Sequence, residues 1–354
     1  MRQNASETIA LLNRALAHDF RLMPLYTADL PVFLAVAWPT SDGVTGLKPR
    51  LPAGRGLTLQ QAMIAAGAEA VELRASLAQR HLLTLAALPR QGGLAMAAAL
   101  DLLTGETVPV PAQEVYLDCA ATLSEPLIFD ATSTGCAAGP TRNDATDTAL
   151  WECVERDAVA LWWHGGLPAG LLSLDLIDQQ QPRLFWWLDQ RDRSTLLLDL
   201  TTDIGLPVVA AVSAKPNGRD VALGTAARPH LADAALAAVT EMVQTEVSME
   251  EARQVKDPEV MDWDAHASIL MQPEFRPSDR APPQASTMRG ADLTQRLADL
   301  GHKVLALDMT LPGDPLPSMR VLVPGLCAMG GRIDTRRFRS LCPGNPAPNF
   351  PEPY

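Results

Sequence analysis

The chain has 354 residues, of which 47% are hydrophobic and 20% charged, with a net charge of −12. This composition excludes a disordered chain and supplies a sizeable core. The acidic balance excludes general nucleic-acid binding, which needs surplus Lys and Arg to neutralise phosphate.

Aromatics are only 5% and Ala and Leu dominate, which favours helix on sheet over an all-β sandwich. The N-terminal run MRQNASETIALLNRALAHDF lacks the apolar core and small-residue cleavage site of a secretory signal. No apolar run approaches the ~20 residues that a membrane-spanning helix requires. A cytoplasmic protein without a membrane partner is expected. The five cysteines, Cys119, Cys136, Cys153, Cys327 and Cys342, are odd in number and widely spaced, with no CxxC pair. That spacing argues for reduced thiols rather than zinc ligands or disulfides.

Along the chain, one pattern occurs three times. VFLAVAW reads as a strand and GRG as a loop; TLQQAMIAAGAEAVE (Thr58–Glu72) follows as a helix. LIFDA, STGCAAGP and TRNDATDTALWECVE (Thr141–Glu155) repeat the order. So do PVVAAVSA, GTAARP and HLADAALAAVTEMVQ (His230–Gln244). The helical segments are rich in Ala and Leu with apolar residues at helical spacing. Thr58 with Gln61, and Thr141 with Asp144, read as capping boxes. The fold class expected is α+β: one mixed domain over residues 1–354, built from strand–loop–long-helix units.

Each helix carries a Glu at the same depth with a carboxylate or amide three residues later: Glu69 and Glu72, Glu152 and Glu155, Glu241 and Gln244. Residues three apart share a helix face, and two carboxylates there repel. Apolar neighbours Ala149, Leu150, Val154, Leu161, Trp162 and Trp163 make full solvation of the second pair doubtful. A buried pair needs a cation, an arginine or protonation. Two readings stand side by side. The pairs converge to hold divalent cations, or they form solvated faces with Arg74 and Arg156 as surface partners. The segment Thr132–Thr141 also has two readings, as a backbone cradle for phosphate at a helix N-terminus or as a tight strand–helix connection. It has no Gly-Lys-Ser/Thr and is not a P-loop. Asp144 is accounted for by capping alone, and Cys136 reads as a small filler sooner than a nucleophile. Trp162, Trp163, Trp186 and Trp187 read as core or interface.

The run STGCAAGPTRNDATDTALWECVERDAVALWW resembles the signature of the YcaO superfamily, supported by GRGLTLQQA with its Glu pair and ALAAVTEMVQ with its Glu, in the expected order. The resemblance implies an ATP- and Mg²⁺-dependent fold. By position it makes Glu69, Glu72, Glu152, Glu155 and Glu241 the metal ligands. Arg156 would contact phosphate, Asp144 would take the place of a nucleotide-site Glu, and Ser133, Gly135, Ala137 and Gly139 would line the nucleotide. Pro140, Thr134, Arg55, Leu73 and Ala237 depart from the usual residues and put individual phosphate contacts in doubt.

The Pro-rich segment 343–354 reads as an extended tail. The resemblance gives Pro351, Pro353 and the terminal carboxylate of Tyr354 a catalytic role. It further implies ATP-driven activation of backbone amides in a ribosomal precursor peptide, with Cys, Ser or Thr cyclised to azolines and ADP and phosphate released. Thioamide or amidine formation, or a non-catalytic scaffold or peptide-binding subunit, are the alternatives; a ligase would instead release AMP and pyrophosphate. With the pattern beginning almost at the first residue, a separate leader-recognition partner is expected, and a homodimer is the candidate assembly. The basic run Arg332, Arg336, Arg337 and Arg339 reads as a solvated surface before it reads as a docking site.

Overall fold

A computed structural model describes residues 5–26, 29–40, 51–279, 288, 290–328 and 333–344. Among them are four helices of twelve residues or more: α1 (Ala5–Leu16), α2 (Leu59–Ser76), α3 (Arg142–Trp163) and α4 (Leu231–Gln254). The strands are, in order, β1 (Phe20–Leu25), β2 (Phe33–Pro39), β3 (Ala53–Gly56), β4 (Arg90–Gln91), β5 (Leu94–Asp101), β6 (Thr107–Pro111) and β7 (Cys136–Ala138). They continue with β8 (Gly170–Leu172), β9 (Ser194–Asp199), β10 (Val208–Ala214), β11 (Ala222–Ala227), β12 (Leu305–Asp308) and β13 (Ser318–Leu322). The chain forms two compact units, one of Met1–Cys153 with Leu297–Pro324, the other of Val154–Arg296 with Gly325–Tyr354. No helix among the described residues is long and apolar enough to cross a membrane.

The first unit holds an antiparallel sheet β1-β2-β3 and a second of order β4-β5-β12-β13-β7, with β6 beside β5. Helix α2 starts on Thr58, whose hydroxyl accepts from the Gln61 amide while the Gln61 side chain accepts from the Thr58 amide, the expected capping box. Its alanines Ala62 and Ala66 pack on Ala35 of β2, and Ala70 and Val71 pack with Leu12, Leu16, Phe20 and Leu22. Arg74 corrects the surface-partner reading. It is buried and pairs with Asp19 and Asp314, not with a glutamate.

In the second unit the sheet order is β11-β10-β9-β8, and α4 packs on β10 and β11. Trp162 and Trp163 are core residues, as expected: Trp163 lies 5.6 Å from Trp263 and 5.5 Å from Phe275, centroid to centroid. Trp187 faces Arg191, whereas Trp186 is exposed.

Three local expectations are overturned. GRG and GTAARP are not loops: Gly54–Gly56 lies in β3, paired with β2, and Gly224–Ala227 lies in β11, paired with β10. Helices α2 and α4 therefore each follow a hairpin. The glycines mark where the second strand presses on the helix. A Cβ at Gly54 would lie 2.1 Å from the Ala66 amide nitrogen, and one at Gly224 would lie 2.2 Å from that of Met242. LIFDA is not a strand either; it is irregular, with Leu127 and Ile128 exposed and the Ile128 and Phe129 amides donating to the buried Gln113 side chain. The strand instead falls inside the supposed loop, as β7 on β13. Finally, Arg337 is not a solvated residue. It is buried against Asp157 at 2.8 Å and Asp203 at 2.5 Å. Arg332 lies outside the described residues.

Candidate active site

In the first unit, α2 carries Glu69 and Glu72 and the first half of α3 carries Glu152. The carboxyl of Glu72 is held well above the usual carboxylate range, first by burial, then by the charges of Glu152 and Glu69. These acids from two helices therefore share one electrostatic environment. Glu69 is the more exposed, and its Oε2 accepts from the Ala53 amide of β3 at 3.0 Å. In the second unit, Glu155 is buried and its carboxyl is also pushed up by burial. Arg156 pulls it back, at 3.8 Å, while Glu241 of α4 adds to the upward push. Strand β11 holds Glu155 in place: the Thr225 hydroxyl donates to Oε1 at 2.7 Å and the Ala227 amide to Oε2 at 3.2 Å. The second strand of each hairpin thus donates an amide to one of the candidate acids, β3 to Glu69 and β11 to Glu155.

The expected nucleotide segment is more structured than a bare loop. Ser133 is exposed, whereas Gly135, Ala137 and Gly139 are buried. Gly135 adopts φ +79°, and a Cβ there would lie 2.2 Å from the Val321 carbonyl oxygen. That oxygen belongs to β13, so the glycine is required by strand packing before any ligand is considered. Asp144 is exposed; its amide donates to the Thr141 hydroxyl at 3.1 Å, which in turn donates to the Asp144 carboxylate at 2.7 Å. It is the third-position partner of the Thr141 cap, with one arm differing from the expected box. Cys136 is a buried filler whose thiol is pushed up to about 11, chiefly by burial. All five cysteines are free and buried. Pro351, Pro353 and Tyr354 lie outside the described residues.

Sequence reading passed over two arginines. Arg320 of β13 is buried and donates to Cys136 Sγ; its charge opposes that of Glu72. Arg228, just after β11, is a second guanidinium whose charge favours ionised Glu155. Arg320 sits in the alternating strand SMRVL, which gives no hint of its partners. A cavity of about 580 Å³ in the second unit, bordered by Leu167, Pro168, Asp203, Asp279 and Leu341, contains none of the expected site residues.

The acids fit the magnesium reading on the character of the donors. Carboxylate oxygens are hard ligands suited to Mg²⁺, and a cation relieves the mutual repulsion that lifts Glu72. Among the described residues no three acid, imidazole or thiol groups form a ready cage. Mg²⁺ does not need one, because it keeps waters and shares phosphate oxygens with one or two carboxylates.

Without metal, Glu72 makes a signed pH prediction. Its folded pKa is raised, so above that value the ionised form destabilises the fold. The loss is recovered as pH falls toward the unfolded value, about 4.3. Glu72→Gln is expected to stabilise the metal-free protein at neutral pH, because it removes the ionised form that burial and the neighbouring acids disfavour. That advantage should fade on acidification, as followed by Tm against pH for both proteins.

The family model for YcaO, described as a YcaO cyclodehydratase that binds ATP and Mg²⁺, matches residues 85–327. The chain belongs to the YcaO family, whose cofactors are ATP and Mg²⁺. An uncharacterised protein from the tfuA 3′ region of Rhizobium leguminosarum bv. trifolii is 29% identical over 255 residues, 64% of this chain and 59% of that protein. An uncharacterised protein of Methanothermobacter thermautotrophicus is 29% identical over 242 residues, 61% of each. The chain thus spans about three fifths of the length of these curated relatives. Among solved structures, a heterocyclase in complex with substrate and cofactor has a TM-score of 0.78 at 20% identity, covering 99% of this chain and 58% of that one. YcaO from Methanopyrus kandleri, bound with AMPPCP and Mg²⁺, has a TM-score of 0.65 at 21% identity, covering 99% and 96%. The Escherichia coli microcin synthetase McbBCD complex with pro-MccB17 bound gives 0.62 at 14%, covering 86% and 87%. At these identities the structures show the shared fold.

Proposed function

We propose that this chain uses ATP and Mg²⁺ to activate backbone amides of a ribosomally made peptide, closing Cys, Ser or Thr side chains into azolines. ATP would take up the amide oxygen as phosphate, so that ADP and phosphate leave as the ring forms. The observation that carries the reading is the raised carboxyl of Glu72, which feels the charges of Glu69 and Glu152, an excess of negative charge that a metal would relieve. Glu69, Glu72 and Glu152 in one unit, and Glu155 and Glu241 in the other, would hold Mg²⁺. When bound, the metal supplies neutralisation of phosphate charge. Arg156 and Arg228, whose charges both act on Glu155, would meet phosphate oxygens, and Ser133 to Gly139 would line the nucleotide with Asp144 at its edge.

The heterocyclase solved with substrate and the microcin synthetase solved with its precursor support a peptide substrate and a separate partner protein that delivers it. The test is release of ADP and phosphate stimulated by a candidate peptide, with loss of one water from its mass. Release of AMP and pyrophosphate points to a ligase; exchange of oxygen for sulfur points to thioamidation. Pro351, Pro353 and Tyr354 would position the reacting amide. Removing the last five residues is expected to lower turnover at least tenfold with Tm unchanged, and full turnover takes the tail out of the mechanism.

A further inference from the structure

Arg320 of β13 is 4% exposed, and all three of its hydrogen bonds go to neutral acceptors. Nη1 donates to the Thr132 carbonyl at 2.6 Å and to Cys136 Sγ at 3.0 Å, and Nη2 donates to the Glu114 carbonyl at 2.9 Å. It makes no ion pair within 4.0 Å among the described residues. A buried guanidinium with no touching carboxylate needs its charge answered from further away. The acids that answer it are Glu72 and Glu152, whose charges interact with that of Arg320. The same side chain ties down Thr132, the residue before Ser133, and contacts Cys136 within the candidate nucleotide segment.

We propose that Arg320 is a positioning residue with two linked tasks. It fixes the start of the Ser133–Gly139 segment through the Thr132 carbonyl. It also serves as the protein's own counter-cation for Glu72 and Glu152, moderating how tightly these acids take a divalent ion. The inference rests on the metal and nucleotide reading above. The two tasks predict effects of opposite sign when the charge is removed. The acids lose a positive neighbour and bind a bare cation more tightly, while the segment loses its anchor and binds nucleotide less well. A purely structural arginine would weaken both.

The test uses the full chain, with Mn²⁺ titrated in the absence of nucleotide and followed by electron paramagnetic resonance, and AMPPCP with Mg²⁺ followed by calorimetry. In Arg320→Met the Kd for Mn²⁺ is expected to fall about three- to tenfold, and the Kd for AMPPCP to rise about tenfold. Arg320→Lys, which keeps the charge and loses the fork, should leave Mn²⁺ binding near the parent value while nucleotide binding remains weakened. If Arg320→Met does not fold by circular dichroism, Arg320→Gln, which keeps a donor, is read in its place. Unchanged or weaker Mn²⁺ binding in a folded neutral variant overturns the proposal, as does unchanged AMPPCP binding. A parent protein that binds no Mn²⁺ overturns the metal reading and this inference with it. A parent that binds, with variants moving the wrong way, overturns the inference alone.

Discussion

Glu152→Gln is expected to cut peptide-stimulated ADP release about a thousandfold while leaving the protein folded, as circular dichroism and thermal unfolding will report. The expectation follows from the position of Glu152 on α3, where its charge reaches Glu72 of α2. Glutamine keeps the volume and one acceptor oxygen but removes the charge that a divalent ion requires. Loss of one charge-stabilising group in a preorganised site typically costs about 10²–10³ in rate, and a metal ligand belongs at the upper end. Stability should hold or rise, since one of two repelling acids is neutralised. Glu155→Gln should match the loss in rate, with a different effect on stability. Glu155 is engaged by Thr225 and the Ala227 amide, and glutamine leaves one of these donors facing an NH₂ group. A variant at Glu152 that retains a tenth of the parent rate would remove that residue from the metal site.

Arg337→Met is expected to destabilise the protein by about 3–5 kcal/mol, measured by urea unfolding. Its Nε donates to Asp157 Oδ2 at 2.8 Å, and the Asp157 side chain is fully buried. Removing the guanidinium leaves that carboxylate buried, with the Cys327 amide still donating to it at 2.9 Å. Burial already pushes Asp157 above its ordinary range despite the pair, so the variant should take up a proton there. Asp157→Asn combined with Arg337→Met removes the stranded charge and keeps an acceptor for the Cys327 amide. The double variant should recover at least half of the loss. A single-variant cost under about 1 kcal/mol would show that the pair is idle.

The long helices and their acids were legible because their evidence is local. Capping residues, the spacing of Ala62, Ala66 and Ala70, and the Glu-x-x-Glu register all sit within a few turns of chain. VFLAVAW and PVVAAVSA were legible as strands too, and became β2 and β10; β3, β7 and β11 were not. AGRG, CAA and ALGTAA are poor in β-branched residues and become strands by pairing with richer neighbours and by fitting under a helix. LIFDA shows the converse, a strong strand former left irregular because Gln113 takes its amides. Arg74, Arg320 and Arg337 were misread or missed for one shared reason. Their partners include Asp314, Thr132 and Asp157, far away in the chain, and no sequence pattern around an arginine marks it as buried.

The most direct test of the account is calorimetric titration of AMPPCP into the parent protein and Glu152→Gln, each with Mg²⁺ and with EDTA. Binding to the parent should require Mg²⁺ and should weaken at least tenfold in the variant. Equal affinity in all four titrations would contradict the claim that these helix-borne acids hold the metal for the nucleotide.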